Sequence, residues 1–275
     1  MKETYKLIAV DMDGTLLQSD KTIHKDSICD IQAAVEHGIS VAYCTGRALA
    51  ELKPYFQALP MVKYAVSYSG ALVYDCMEKR CVYRSEIEQK YMKAIVEMAQ
   101  KYHAMLHFLT EEESIASAYD VAHMEDYDMG IYQSLFMEVS RQVSDMEEEA
   151  GKHASMPKIN IYFRSAEDRE KAYSELKKLP LTFVFAEKTS LEMTAQGVSK
   201  ATGLMHLAES LGITMHQVVG IGDAENDREM LKNVGFPVAM QNAGEEIKEL
   251  CKLVTADNDH NGVGEAIRYI IRENA

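Results

Sequence analysis

The chain opens on a short apolar run, Tyr5-Lys6-Leu7-Ile8-Ala9-Val10, which reads as a buried strand because it is rich in aliphatic and β-branched residues and too short for a helix. After a polar loop, His24 to His37 has helical spacing, with Ile28, Ile31 and Val35 on one face and Gly38 where a helix C-cap falls. A second apolar run, Ile39 to Cys44, leads into Thr45-Gly46-Arg47 and a helical pattern broken at Pro54. A third run, Tyr64-Ala65-Val66-Ser67, follows. Strand, helix, strand, helix is the order of a parallel sheet with crossover helices. Leu72 to Asp75 and Cys81 to Tyr83 then read as a hairpin across the polar tip Met77-Glu78-Lys79-Arg80.

From residue 84 the pattern changes. A helix is predicted over 88–102, with Tyr91, Ile95, Met98 and Tyr102 on one face, followed by strands at Met105 to Leu109 and Ser114 to Ser117. The stretch 120–155 is acidic and rich in methionine and carries no clear period. Lys158 to Phe163 alternates cleanly as a strand, Ser165-Ala166-Glu167-Asp168 is a capping box opening a helix, and Leu181 to Phe185 is another strand. Alternating strands suit an antiparallel sheet with one face covered by helices. Residues 84–189 are therefore read as an α+β module inserted into an α/β core made of 1–83 and 190–275. In the second part of that core, Ser190 to Thr194 leads to Gly197-Val198-Ser199-Lys200 and a helix with Leu204, Leu207 and Leu211 on one face. Val218 to Gly222 is a buried strand running into Asp223-Ala224-Glu225-Asn226-Asp227. A helix, the strand Val238 to Met240, the short strand Leu253 to Thr255 and a final helix complete the pattern, without internal repeats.

The polar residues that close these strands carry the candidate chemistry. Asp11 and Asp13 are one residue apart where the first strand must end, so an extended chain turns both to one side. Two such acids repel unless a cation or a shared proton lies between them, which suggests a divalent metal with one carboxylate free to react. Asp and Gly are also ordinary turn residues, and a glycosyltransferase can carry a metal-binding Asp-x-Asp. Thr45 and Gly46 offer a hydroxyl and free N–H groups at a helix start, a ready anion site. In open α/β sheets ligands bind outside the carboxyl ends of the strands, and here three strands of one sheet end in polar clusters, with Lys200 opening a helix. A glycosyltransferase motif does not bring the other clusters with it.

Composition narrows the partners. The 275 residues suffice for a core and a second module, and 47% hydrophobic with 26% charged content is that of a folded globular chain. A net charge of −14 repels nucleic acid and anionic membranes, so neither is expected as a partner, and no obligate protein partner is evident. The five cysteines are scattered, odd in number and without a Cys-x-x-Cys, which favours a reduced chain over a disulfide framework or zinc site. With no signal-peptide pattern and no apolar run of membrane-spanning length, a cytoplasmic location is expected.

Taken together, Asp11-Met12-Asp13-Gly14-Thr15-Leu16, Thr45-Gly46-Arg47, Gly197-Val198-Ser199-Lys200, Gly222-Asp223-Ala224-Glu225-Asn226-Asp227 and the tail Val254-Thr255-Ala256-Asp257-Asn258 with Asn261-Gly262-Val263 resemble the haloacid dehalogenase (HAD) superfamily of phosphohydrolases, in its Cof-type branch with a class IIB cap. The resemblance implies a Rossmannoid core, a mainly parallel sheet flanked by helices, and an inserted α+β cap that selects the leaving group. It implies Asp11 as nucleophile forming an aspartyl-phosphate and Asp13 as general acid–base. Thr45, the Gly46 N–H, Lys200 and Asn226 would meet the phosphate, and Lys200 would bridge it to Asp11. Asp223 would hold Mg²⁺ with Asp11 and the backbone carbonyl of Asp13, supported by Asp227. The implied activity is Mg²⁺-dependent hydrolysis of small phosphorylated metabolites such as sugar phosphates. A phosphomutase on the same core and a non-catalytic phosphometabolite binder are the alternatives, the latter disfavoured because a binder has no need of Asp13. Arg47 is read as a helix-start or cap-facing residue, Glu225 as solvated, the histidines of the insertion (His103, His107, His123, His153) as surface or packing groups, and the Met-rich stretch 124–156 as packing. Ser69-Gly70-Ala71, Ala201 and Gln241-Asn242-Ala243 depart from the family pattern, and only local adjustment is expected of them.

Overall fold

The computed structural model describes residues 4–111 and 113–275, which form two compact units. The first comprises residues up to 47, 53–83 and 199–275, and the second comprises 48–52 and 84–198. In the first unit eight strands make one sheet, in the order Leu253–Thr255, Phe236–Met240, Val218–Gly222, Leu7–Val10, Ser40–Cys44, Tyr64–Ser67, Leu72–Asp75, Arg80–Arg84. The pairs from Leu253–Thr255 through Tyr64–Ser67 are parallel, and Leu72–Asp75 pairs antiparallel with Tyr64–Ser67. Leu7–Val10 is buried at every position, as a strand covered on both faces must be. Leu7, Ala9, Ala42, Val66 and Val218 pack with Leu204, Leu207, Met230 and Leu231 from helices on one side. The helix Lys25–Glu36 is capped by His24, whose ring accepts the Asp26 N–H, as the His24–His37 pattern predicts to within one residue at each end.

Two expectations for the first unit change. Pro54 does not break a helix: it lies in the first turn of Lys53–Ala58, behind the 3₁₀ turn Leu49–Leu52, where a missing N–H leaves no carbonyl unpaired. The strand Ser190–Ala195, expected in the parallel core, pairs antiparallel with Lys158–Tyr162 and Leu181–Val184, and the second unit runs on to Val198.

The second unit is built on a six-stranded sheet in the order Leu181–Val184, Ser190–Ala195, Lys158–Tyr162, Met105–Leu109, Ser114–Ser117, Ser140–Val143, antiparallel except for its last pair. Its register sorts the faces. Ile159, Ile161, Leu106, Phe108, Leu191 and Met193 enter one apolar cluster with Met92, Ile95, Val96 and Ala99 of the helix Gln89–Lys101. That helix is rotated slightly from its predicted face: Tyr91, Met98 and Tyr102 flank the cluster instead of filling it. Met124, Met129 and Phe136 of the uncharacterised stretch pack in a second cluster, so its methionines are largely core.

The other face of this sheet is polar yet buried. Lys158 pairs with Glu192 at 2.7 Å, and Asn160 donates to the Tyr162 hydroxyl at 3.1 Å. His107 lies 2.8 Å from the Ser114 hydroxyl and 3.4 Å from that of Tyr162. Burial, then the Lys158 ammonium, pushes the His107 pKa down to about 3. The unfolded chain takes up a proton on this ring near pH 6.5 that the folded chain refuses, so this contribution to stability is complete above pH 6.5 and is lost as pH falls toward 3. Unfolding free energies from urea melts of His107→Gln should therefore show a pH slope shallower than wild type by about 1.4 kcal/mol per unit between pH 6 and 4. Equal slopes would mean that the ring is not held neutral.

Candidate active site

The parallel register builds the site. Val10 lies level with Ile221 on one side and Tyr43 on the other, so the residues after all three strands leave the sheet at the same edge. Asp11 follows the first strand, its N–H donating to the Ile221 carbonyl at 3.0 Å, with Thr45 after the second and Asp223 after the third. The turn after Asp11 needs Gly14, whose φ of 82° is left-handed and whose Cβ, were there one, would lie 2.4 Å from an Asp223 carboxylate oxygen. Thr15 donates to that carboxylate at 2.7 Å.

Lys200 is the first residue of the helix Lys200–Ser210, capped by Ser199 in a capping box with Thr202. The turn at 68–70 sets its place. Tyr68, Ser69 and Gly70 all have positive φ, and a Cβ on Gly70 would lie 1.9 Å from the Ser199 carbonyl oxygen. Ser69 thus adopts the left-handed turn that Asn favours, its N–H donating to the Thr45 carbonyl at 3.0 Å.

The Lys200 ammonium is fully buried and donates to Asp11 at 2.6 Å and Asp227 at 2.7 Å. Asp227, itself wholly buried, accepts the N–H groups of Asp223 and Ala224 on its other oxygen. Burial alone would drive the Lys200 proton off, but the Asp11 and Asp227 carboxylates outweigh it and hold the ammonium charged. The same burial, with the charges of Asp227 and Asp223, raises the Asp11 pKa well above the ordinary carboxylate range against the pull of Lys200. Burial, helped by Asp227, pushes Asp223 up to about 6 despite the Thr15 hydrogen bond.

Asp13 is set up oppositely. Burial would raise its pKa too, but the Arg47 guanidinium, donating from Nε and Nη2 at 2.7 Å each, and then the Lys21 ammonium at 2.9 Å, bring it down to about 2. Two neighbouring acids thus have their pKa values pushed apart, a pattern that separates acid–base roles.

Asp11, Asp223 and Asp227 can each offer one oxygen with all three atoms within 4.8 Å of one another. Three carboxylates stand against one ammonium here. An all-oxygen donor set of this charge fits a hard divalent ion such as Mg²⁺. The Asp13 carboxylate is not in this group. The Asn226 Oδ1 atom is buried without a hydrogen-bond partner among the described residues. Thr45 is buried, with its hydroxyl accepting the Arg47 N–H at 3.1 Å.

Four side chains at the site were given no role there by the sequence reading. Arg47, expected at a helix start, forks onto Asp13, and Lys21 joins it. Thr15 and Asn242 both donate to Asp223, Asn242 at 3.3 Å while also holding the Gly14 carbonyl at 2.8 Å. The Gln241-Asn242-Ala243 departure thus keeps the one side chain in it that reaches the site.

The chain belongs to the haloacid dehalogenase-like hydrolases, whose family model matches residues 8–267. It is a HAD-type phosphoric monoester hydrolase. The Bacillus subtilis 5-amino-6-(5-phospho-D-ribitylamino)uracil phosphatase YwtE is 28% identical over 97% of this chain and 98% of its own length. The crystal structure of a haloacid dehalogenase-like hydrolase from Bacteroides thetaiotaomicron superposes with a TM-score of 0.86 at 27% identity, covering 97% of this chain and all of the other. A HAD subclass IIB sugar phosphatase, 22% identical, shares the fold with a TM-score of 0.81 over 96% of this chain and 98% of its own. Among the described residues no helix is long and apolar enough to cross a membrane.

Proposed function

We propose that the protein is a Mg²⁺-dependent phosphatase of small phosphorylated metabolites, sugar phosphates or similar phosphomonoesters, working through an aspartyl-phosphate on Asp11. The observation that carries this reading is the buried Asp11 carboxylate at the end of the central strand, 2.6 Å from the Lys200 ammonium and grouped with Asp223 and Asp227. The polyol phosphate named for one relative and the sugar phosphate named for a structural neighbour are in keeping with that substrate class.

In the first step an Asp11 oxygen attacks phosphorus, the bond to the leaving oxygen breaks, and Asp13 delivers a proton to that oxygen. In the second, Asp13 takes a proton from water, the water oxygen attacks phosphorus, and the bond to Asp11 breaks to give inorganic phosphate and the free carboxylate. Asp11 approaches a phosphate dianion, so repulsion must be offset. Lys200 supplies one charge, and the Thr45 hydroxyl, the Gly46 N–H and the Asn226 amide are the polar groups assigned to the phosphate oxygens. Mg²⁺ held by Asp11, Asp223 and the Asp13 carbonyl, with Asp227 behind them, would neutralise charge on the transferring group. Paired with Arg47 and Lys21, Asp13 is ready as the base of the second step. To act as acid it must first take a proton, which weakens both pairings.

The test is phosphate release from a panel of phosphomonoesters with Mg²⁺ and with EDTA. Release that requires Mg²⁺, is lost with EDTA and returns on adding Mg²⁺ back is expected. Release unchanged by EDTA, or none from any ester, overturns the proposal.

A further inference from the structure

The charged groups that this chemistry leaves unassigned are gathered around Asp13. Its Oδ1 accepts from both Arg47 Nη2 at 2.7 Å and Lys21 Nζ at 2.9 Å, while among the described residues Oδ2 accepts only from Arg47 Nε, at 2.7 Å. A carboxylate oxygen has two lone-pair positions, so these contacts fill Oδ1 and leave one position on Oδ2. Without Lys21 the two oxygens would be equivalent in this respect.

Lys21 is held for that contact. Its φ of 67° is left-handed, uncommon for a residue with a side chain. The loop is closed around it by the Gln18 N–H donating to the Thr22 carbonyl at 2.8 Å and the Lys21 N–H to the Gln18 carbonyl at 2.9 Å. Tyr55 spans both cations: its hydroxyl donates to the Lys21 carbonyl at 3.4 Å, and its ring lies 5.6 Å from the Arg47 guanidinium carbon. Tyr55 is fixed in turn by the Tyr43 hydroxyl, which donates to its carbonyl at 3.0 Å.

We propose that Lys21 is a positioning residue that occupies Asp13 Oδ1 and so reserves Oδ2 for proton exchange with the leaving group, with Tyr55 holding Lys21 and Arg47 in register. The inference rests on the phosphatase reading. Lys21 is about 40% exposed, so its replacement does not open the core.

The test compares kcat/KM, which reports the chemistry up to alcohol release, for the alkyl phosphate turned over fastest and for 4-nitrophenyl phosphate, whose leaving group departs without an acid. Lys21→Met should lower kcat/KM about tenfold on the alkyl ester, part of the ~10²–10⁴ that general acid catalysis supplies, and at most about twofold on the aryl ester. Lys21→Arg should restore most of the loss, and Tyr55→Phe should fall in the same direction by less. Equal losses on both esters, or an unchanged rate on the alkyl ester, overturn the inference and leave the phosphatase reading standing. A wild-type protein that releases no phosphate overturns both.

Discussion

Asp11→Asn should lower phosphate release by about 10⁴-fold or more without loss of folding. Asparagine keeps the shape of aspartate but has no carboxylate oxygen to attack phosphorus, so no covalent intermediate forms. The stability readout separates this from unfolding. The folded state raises the Asp11 pKa by burial and by the Asp227 and Asp223 charges, so above the ordinary carboxylate range an ionised Asp11 works against folding. An uncharged amide relieves that repulsion, while Lys200 keeps its contact with Asp227. The variant's thermal midpoint at pH 8 should equal or exceed that of wild type. Phosphate release within tenfold of wild type would remove Asp11 from the role of nucleophile. A large fall in the midpoint would instead mean that the Asp11–Lys200 pair is a net stabiliser and that its surroundings have been misread.

What made Asp11 legible is that its neighbours in sequence are also its structural cause. A run of apolar residues, two acids and a glycine specify a strand and its turn without reference to the rest of the chain. Thr45 and Asp223 are legible for the same reason, and the parallel register then brings them level with Asp11. The partners of Asp13 are different. Arg47 lies 34 positions away and Lys21 eight, and no local pattern says that either side chain turns toward it. The Lys21 contact depends on a left-handed residue in a loop without a glycine at that position, a conformation that sequence disfavours and tertiary contacts impose.

The misplaced strand at 190–195 has another lesson. A short strand between polar turns looks alike whether its neighbours run parallel or antiparallel, because direction belongs to the partner. A signal was present nonetheless. The polar Ser190, Glu192 and Thr194 alternate with the apolar Leu191 and Met193, a pattern proper to the second sheet, whereas Leu7–Val10 and Val218–Gly222 are apolar throughout. Pro54 was misjudged for a related reason: the residue that stops one helix starts the next, and only the preceding 3₁₀ turn distinguishes the cases.

Lys200→Met is the change expected to act on stability and catalysis together. In wild type one buried ammonium offsets Asp11 and Asp227 at 2.6 and 2.7 Å, with Asp223 nearby already pushed up to about 6. Methionine fills much the same volume but leaves those acids without a cation. Removing one partner from a buried ion pair costs about 3–5 kcal/mol, and that loss is expected at pH 8. Two conditions should reverse it. As pH falls toward 5 the crowded carboxyls take up protons in the folded chain that the unfolded chain does not yet bind, so stability returns, the sign expected for acids whose folded pKa lies above the unfolded value. Millimolar Mg²⁺ at pH 8 should also raise the midpoint, and by more in the variant than in wild type, because a ligand that binds only the folded state stabilises it by mass action and here replaces the missing charge. Catalysis should not recover with the fold: kcat is expected to stay ~10²–10³ below wild type even in saturating Mg²⁺, since the positive charge between nucleophile and phosphate is absent. Thermal midpoints at pH 5 and 8, with and without Mg²⁺, and kcat at saturating ester test all of this on one variant. A variant as stable as wild type at pH 8, and indifferent to Mg²⁺, would mean that Lys200 does not balance this group of acids.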